Sequence, residues 1–330
     1  MVSPRLIVTT LVMCVALVHA SAIMHLTNVG MSSPDWPGSY GLIAASGAHS
    51  GMEAGNAGTA VAAITPVAVA ERIHRAVASI LQLLIIAVVA MAFLKHERSG
   101  SRRLLVPILA LIISLFLAFL GVWFGSPLRY PWIMIINLLG GFALLGLFWW
   151  LTLDIYAGAA PPAGHARRFM PWAIAGLMMV IIQIILGAWT DGYYAALACT
   201  GFPACQGADW SVADLLRGFG LLGSLDVDTS GKVLTDHSVA ASIHMSHRIW
   251  AGVTLLYIGW LSWRAMGLGG KFRLTGVIIL AILATQLGLG IAMVLFGMPM
   301  AFVVAHTVTA VLLLLSILSL VHQQYKLQPA

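Results

Sequence analysis

Charge is what this sequence has least of. Only 8% of its 330 residues are Asp, Glu, Lys or Arg, while 60% are hydrophobic. A soluble domain carries roughly 25% charged residues, so water is excluded as the solvent for most of this surface. The formal charge of +6 and the pI near 9.5 would suggest nucleic acid in a soluble protein. That reading fails here because the charges lie in loops between apolar runs. Cysteine is also scarce, at three residues. Cys14 falls inside an apolar run and reads as a small apolar residue. Cys199 and Cys205 share one loop outside the spans, where a disulfide is expected and two free thiols are the alternative.

Apolar runs long enough to cross a bilayer, about 20 residues each, recur along the whole chain. They read as spans 5–25, 71–94, 104–125, 131–153, 171–191, 240–262, 274–297 and 300–321. One alternate set of loops holds Arg5, Lys95, Arg98, Arg102, Arg103, Arg167, Arg168, Arg264, Lys271, Arg273 and Lys326 against Glu97 and Asp154. The other set is richer in acids and poorer in cations. Lys and Arg are retained on the cytoplasmic side, so both termini are expected inside. The long loops 26–70 and 192–239 are expected outside, with Cys199 and Cys205 facing an oxidising bacterial compartment. Neither loop has the look of a separate domain. Arg5, the run Leu6 to Ala20 and Ala20-Ser21-Ala22 also resemble a cleavable leader; the internal repeat favours a retained first helix.

The two halves repeat. Ser33 to Ser39 lies over Cys199 to Cys205, with Trp36-Pro37 on Phe202-Pro203. His74-Arg75 corresponds to His247-Arg248, Gly121 to Gly290, and Asn137 to His306. Four spans per half is an even number, so both copies point the same way. The expected fold is all-α and integral to the membrane. It has eight transmembrane helices in two tandem four-helix bundles, residues 1–160 and 161–330, related by a pseudo-two-fold axis along the membrane normal.

Ionisable groups inside a membrane are costly and mark function. His74, His247 and His306 sit one or two turns inside the outer ends of their spans. His247 and His306 come from the sixth and eighth, where two imidazoles can hold one iron between them. A haem is flat and apolar enough to sit there, ligated from both faces. Arg248 and Arg75 stand beside the histidines, in reach of haem propionates. Zinc lacks a third or fourth ligand at that depth. His244, one turn before His247, ranks second because Glu71 occupies its repeat position. Glu71 and His74 share a helical face, as a proton-handling group beside the N-terminal pocket or as a carboxylate neutralised by Arg72 or Arg75. His19, His25, His49, His96, His165, His237 and His322 read as loop or helix-end residues.

These residues together resemble the haem A synthase family, the CtaA-like membrane enzymes. The resemblance rests on Leu26-Thr27 through Pro34-Asp35-Trp36-Pro37, Glu71-Arg-Ile-His74-Arg75, Gln183 through Gly187-Ala188, Cys199 to Cys205, His247-Arg248, Gln286 to Gly290, and His306. It spans nearly the whole chain in order. It implies haem b in the C-terminal bundle on His247 and His306. It implies haem O as substrate in the N-terminal bundle, flanked by His74 and Glu71, with the C8 methyl oxidised to a formyl. Cys199 and Cys205 match a pair implicated in redox or haem handling. Haem O synthase and terminal oxidase subunits follow as expected partners, with a homo-oligomer left open.

Two departures stand out. Asn137 replaces the second histidine of the N-terminal bundle, with Met134 one turn away. Ser33 and Ser39 replace a first-loop cysteine pair. The competing reading is a non-catalytic haem b protein that carries haem or electrons. A channel or transporter on the same plan is disfavoured by the absence of paired Gly/Pro-broken helices.

Overall fold

The computed structural model describes residues 2–28, 66–94, 102–123, 130–156, 169–205, 209–220, 225–228 and 232–326. The first-loop motif Ser33 to Ser39, the 160/161 boundary, and His49, His96 and His165 lie outside the described residues. The described chain forms nine helices. These are α1 (Pro4–Asn28), α2 (Pro66–Leu94), α3 (Arg102–Trp123), α4 (Pro131–Tyr156), α5 (Met170–Gly192), α6 (Val212–Gly218), α7 (His237–Gly267), α8 (Gly270–Leu295) and α9 (Met300–Tyr325). Among the described residues, pairing between extended segments is limited to one isolated bridge, Val227 with Val233.

Helix is the local answer to an apolar run in lipid, because it satisfies every backbone group within the segment. Prolines open α1 and α4, where the missing N–H costs nothing. Asp236 caps α7 by accepting from the Ser238 backbone N–H at 3.0 Å. The α7–α8 turn uses Gly269 and Gly270 at φ 73° and 52°, a left-handed conformation open to glycine without a Cβ clash.

Among the described residues, seven helices are long and apolar enough to cross a membrane: α1, α2, α3, α4, α5, α8 and α9. The sequence reading expected eight. α7 has the length, 31 residues, but His237, His244, His247, Arg248 and several serines lower its hydropathy. Large apolar side chains point away from the protein, including Leu83, Leu256 and Trp263, each more than 60% exposed. Such a surface suits lipid and not water.

Side-chain packing sets the neighbours. α1 packs on α2 and α4, and α3 packs on the same two. α5 packs on α7 and α9, and α8 packs on those two. Contacts of α4 with α5 and α9, and of α1 with α9, join these groups. One apolar core runs through both, from Cys14, Ile85 and Phe148 to Ile258, Ile279 and Ile317. Small residues let helices approach closely. A Cβ on Gly176 would lie 2.6 Å from Leu261 Cδ2, and one on Gly276 would lie 2.6 Å from the Ser262 carbonyl.

Polar links tie the halves together. Trp149 Nε1 donates to Leu315 O at 3.1 Å and to Ser319 Oγ at 2.9 Å. His322 lies 3.0 Å from Asp154, and Lys326 Nζ lies 2.8 Å from the same carboxylate. His25 lies 2.9 Å from Asp191. His25 and His322 do stand near helix ends, but each also pairs with an acid from the other half.

Candidate functional site

All four helices of the α5–α7–α8–α9 group converge on two histidines. α7 carries His247 and α9 carries His306. These helices are not adjacent in the packing, so their inner faces look across the group. His247 lies within electrostatic reach of both His306 and His244.

Each imidazole rests against a neighbouring helix in the same way. On α5, Gln183 Nε2 is 3.1 Å from His247 Nδ1 and 3.2 Å from His247 Nε2. Four residues on, a Cβ at Gly187 would lie 3.1 Å from His247 Cε1. On α8, Gln286 Nε2 is 3.0 Å from His306 Nε2. Again four residues on, a Cβ at Gly290 would lie 3.2 Å from His306 Cε1. Residues four apart share a helix face, so the glutamine meets ring nitrogen while the glycine makes room for ring carbon. Sequence reading noted both Gln-to-Gly runs as matches but missed their contact with the histidines. The clue was there, in the same spacing repeated on two spans.

The chemistry of these residues suits a bound metal–imidazole unit. His306 Nδ1 and Gln183 Oε1 are buried and have no hydrogen-bond partner among the described residues. Leaving such atoms unpaired costs about 1–3 kcal/mol each, which a ligand or a bonded metal–imidazole unit would remove.

The loop between α5 and α6 packs against α7 near this centre. Cys199 and Cys205 form a disulfide. Arg248 donates to the Gly201 carbonyl at 2.6 Å and to the Cys199 carbonyl at 2.9 Å, pinning the loop to α7. Its Nε remains buried without a partner among the described residues, a donor available to an added acceptor such as a propionate. His244 is buried, and its Nδ1 lies 3.1 Å from the Ala195 carbonyl. It braces the loop base from beside His247.

The N-terminal half is more open. His74 is half-buried on α2. Glu71 and Arg75 lie 3.9 Å apart, with the Arg75 side chain 81% exposed, so they form a weak, solvent-screened pair. Asn137 is exposed. Gly121, aligned with Gly290, has nothing within 4 Å of its Cβ position among the described residues. Met134 packs against the Tyr194–Leu225 cluster under the outer loop, which suits a packing residue.

These contacts predict a contrast. Gly187→Val and Gly290→Val push their histidines aside and lower haem retention about 10-fold or more, the scale of losses around metal ligands. Gly121→Ala leaves it unchanged. Absorbance per mole of purified protein checks both.

Comparison with known proteins adds independent support. The model of a family described as cytochrome oxidase assembly protein, COX15-CtaA, matches residues 4–318. The chain is 30% identical over 318 residues to a protein named heme A synthase from Shewanella oneidensis, covering 94% of this chain and 93% of that protein. Shorter matches reach proteins of the same name from Erythrobacter litoralis, 30% identical over 53% of this chain and 47% of that protein, and Caulobacter sp. strain K31, 30% identical over 50% and 45%.

Proposed function

We propose a mode of action for a chain that belongs to the COX15-CtaA family of cytochrome oxidase assembly proteins: it is a haem A synthase, a membrane oxidoreductase that converts a methyl group of haem O to the formyl group of haem A. The observation that carries this reading is the convergence of four helices on His247 and His306, each seated by a glutamine and a glycine.

On this reading α7 is the eighth span, and the chain forms two four-helix bundles, residues 1–160 and 161–330. The two closed groups of helix contacts and the aligned His74/His247 and Gly121/Gly290 pairs support a pseudo-two-fold along the membrane normal. The excess of Lys and Arg in one set of loops supports both termini on the cytoplasmic side of a bacterial plasma membrane.

The C-terminal bundle holds haem b through His247 and His306. When bound, that iron supplies one-electron transfer. The chain's own groups set its conditions. The apolar core excludes water, Arg248 holds the disulfide loop in place, and its remaining donor would meet a haem propionate. The N-terminal bundle takes haem O as substrate. His74 would orient it, Arg75 would offer a cation to its propionates, and Glu71 would accept protons as the methyl carbon is oxidised, with the four electrons passing to an external acceptor and water or dioxygen supplying the formyl oxygen. A base acts only within about 3 Å of the proton it takes, or through one water. Asn137 leaves one face of the substrate without a second imidazole.

Asn137 is also the observation that favours a second reading, a haem b protein that carries haem or electrons without forming haem A. The test is extraction and chromatography of haems from membranes expressing this chain with a haem O source. Haem A in the extract is the expected result. Haems B and O alone, with folded protein present, exclude the enzyme.

A further inference from the structure

The paired glutamines do more than fill space. A neutral imidazole has one N–H and one bare nitrogen. If the bare nitrogen binds a metal, the N–H on the other side of the ring must find an acceptor. In lipid there is no bulk water to serve, and residues holding the far nitrogen of a metal-bound histidine set its orientation and basicity.

We propose that Gln183 and Gln286 are positioning residues for the two imidazoles, each amide holding the ring nitrogen that the iron does not take. This rests on the reading of His247 and His306 as haem ligands, and it assigns those ligands a supporting shell.

Gln183 reaches both ring nitrogens of His247, so it can hold whichever one a metal leaves free. Its Nε2 touches the His247 ring at 3.1 and 3.2 Å and reaches the His247 carbonyl at 3.3 Å. Its Oε1 is buried without a partner among the described residues. A half-turn of the amide exchanges the two ends and presents Oε1 to an imidazole N–H.

Gln286 carries the same option through a third residue. Its Oε1 accepts the Thr309 hydroxyl, and its Nε2 lies 3.0 Å from His306 Nε2. Thr309 Oγ1 also lies 3.0 Å from the carbonyls of Ala305 and His306. A hydroxyl has one proton and two lone pairs. With its proton given to either carbonyl, Thr309 accepts from the turned amide, and Gln286 Oε1 then faces His306. Thr309 thus serves both amide orientations. Gly187 and Gly290 hold the rings against these amides, because any Cβ there would crowd the ring edge at 3.1–3.2 Å.

The test uses full-length protein in detergent, with Gln183 and Gln286 changed singly to Leu and to Glu. The readouts are haem b content, the low-spin ferric resonance and the midpoint potential. Leu removes the acceptor at similar size. Glu is a stronger acceptor, gives the imidazole anionic character and favours ferric iron. The expected result is about a 10-fold loss of haem affinity in the Leu variants, with a more positive midpoint. The Glu variants keep haem and shift the midpoint the other way.

Midpoints and resonances equal to wild type in both series overturn the proposal. If a Leu variant loses haem or fails to fold, the Glu variant decides. Retained haem with a more negative midpoint upholds the role, and lost haem overturns it. Failure of the underlying reading looks different: His247→Ala and His306→Ala would then keep the full haem spectrum whatever the glutamine variants do.

Discussion

Replacing His247 or His306 with alanine removes most of the b-type haem spectrum from the purified protein. Two imidazoles give a strong ligand field, so wild type shows six-coordinate, low-spin iron. Each single change would leave a five-coordinate iron at best. The helices survive, because each spanning segment satisfies its own backbone and its packing faces are unchanged. The expected loss is therefore of haem and not of protein. Full haem content in both variants would show the centre to be misassigned. The contrast with Gly121→Ala guards against general instability. That change is made in open space in the other half, and it exchanges a poor helix former for the best one.

His74→Ala and Glu71→Gln abolish haem A formation while the C-terminal haem b spectrum persists. General bases contribute about 10²–10⁴-fold, so Glu71→Gln alone takes the product below ordinary chromatographic detection. Loss of His74 removes the orienting ligand of the substrate. Asn137→His keeps or raises activity, since the position is exposed and can take a larger side chain. These residues belong to the half that a pure haem b carrier would not need. Haem A yields unaffected by His74→Ala and Glu71→Gln would remove the N-terminal half from the mechanism. No haem A from any variant, wild type included, would instead favour the carrier.

Much of this was readable from the residues in order. The spans came within a few residues of the helices, because an apolar run in lipid has few alternatives to helix. His247 and His306 stood out because ionisable groups inside a membrane are expensive. The Cys199–Cys205 disulfide was expected from two cysteines sharing a loop outside the spans, and the structure contains the bond. Residues 240–262 were expected as a transmembrane span; they do lie within the helix α7, but its polar N-terminal turns keep it outside the seven strongly apolar spans.

Other features had no local signature. His322 and Asp154 are 168 residues apart, and His25 and Asp191 belong to different halves. Nothing near either histidine announces its acid. Arg248 was expected beside haem propionates, but two of its donors go to the backbone of the disulfide loop.

The sequence by itself determined the solvent, the helical segments and their order. Those follow from composition and from hydrogen bonding within a single stretch of chain. Only the tertiary structure decided which faces meet. It set Gln183 and Gly187 against His247, Gln286 and Gly290 against His306, and Arg248 beneath the disulfide loop. The physical reason is that a helix closes its hydrogen bonds internally whichever way it is rotated. Rotation and partner choice are settled by side-chain volume and polar pairing between segments far apart in the chain.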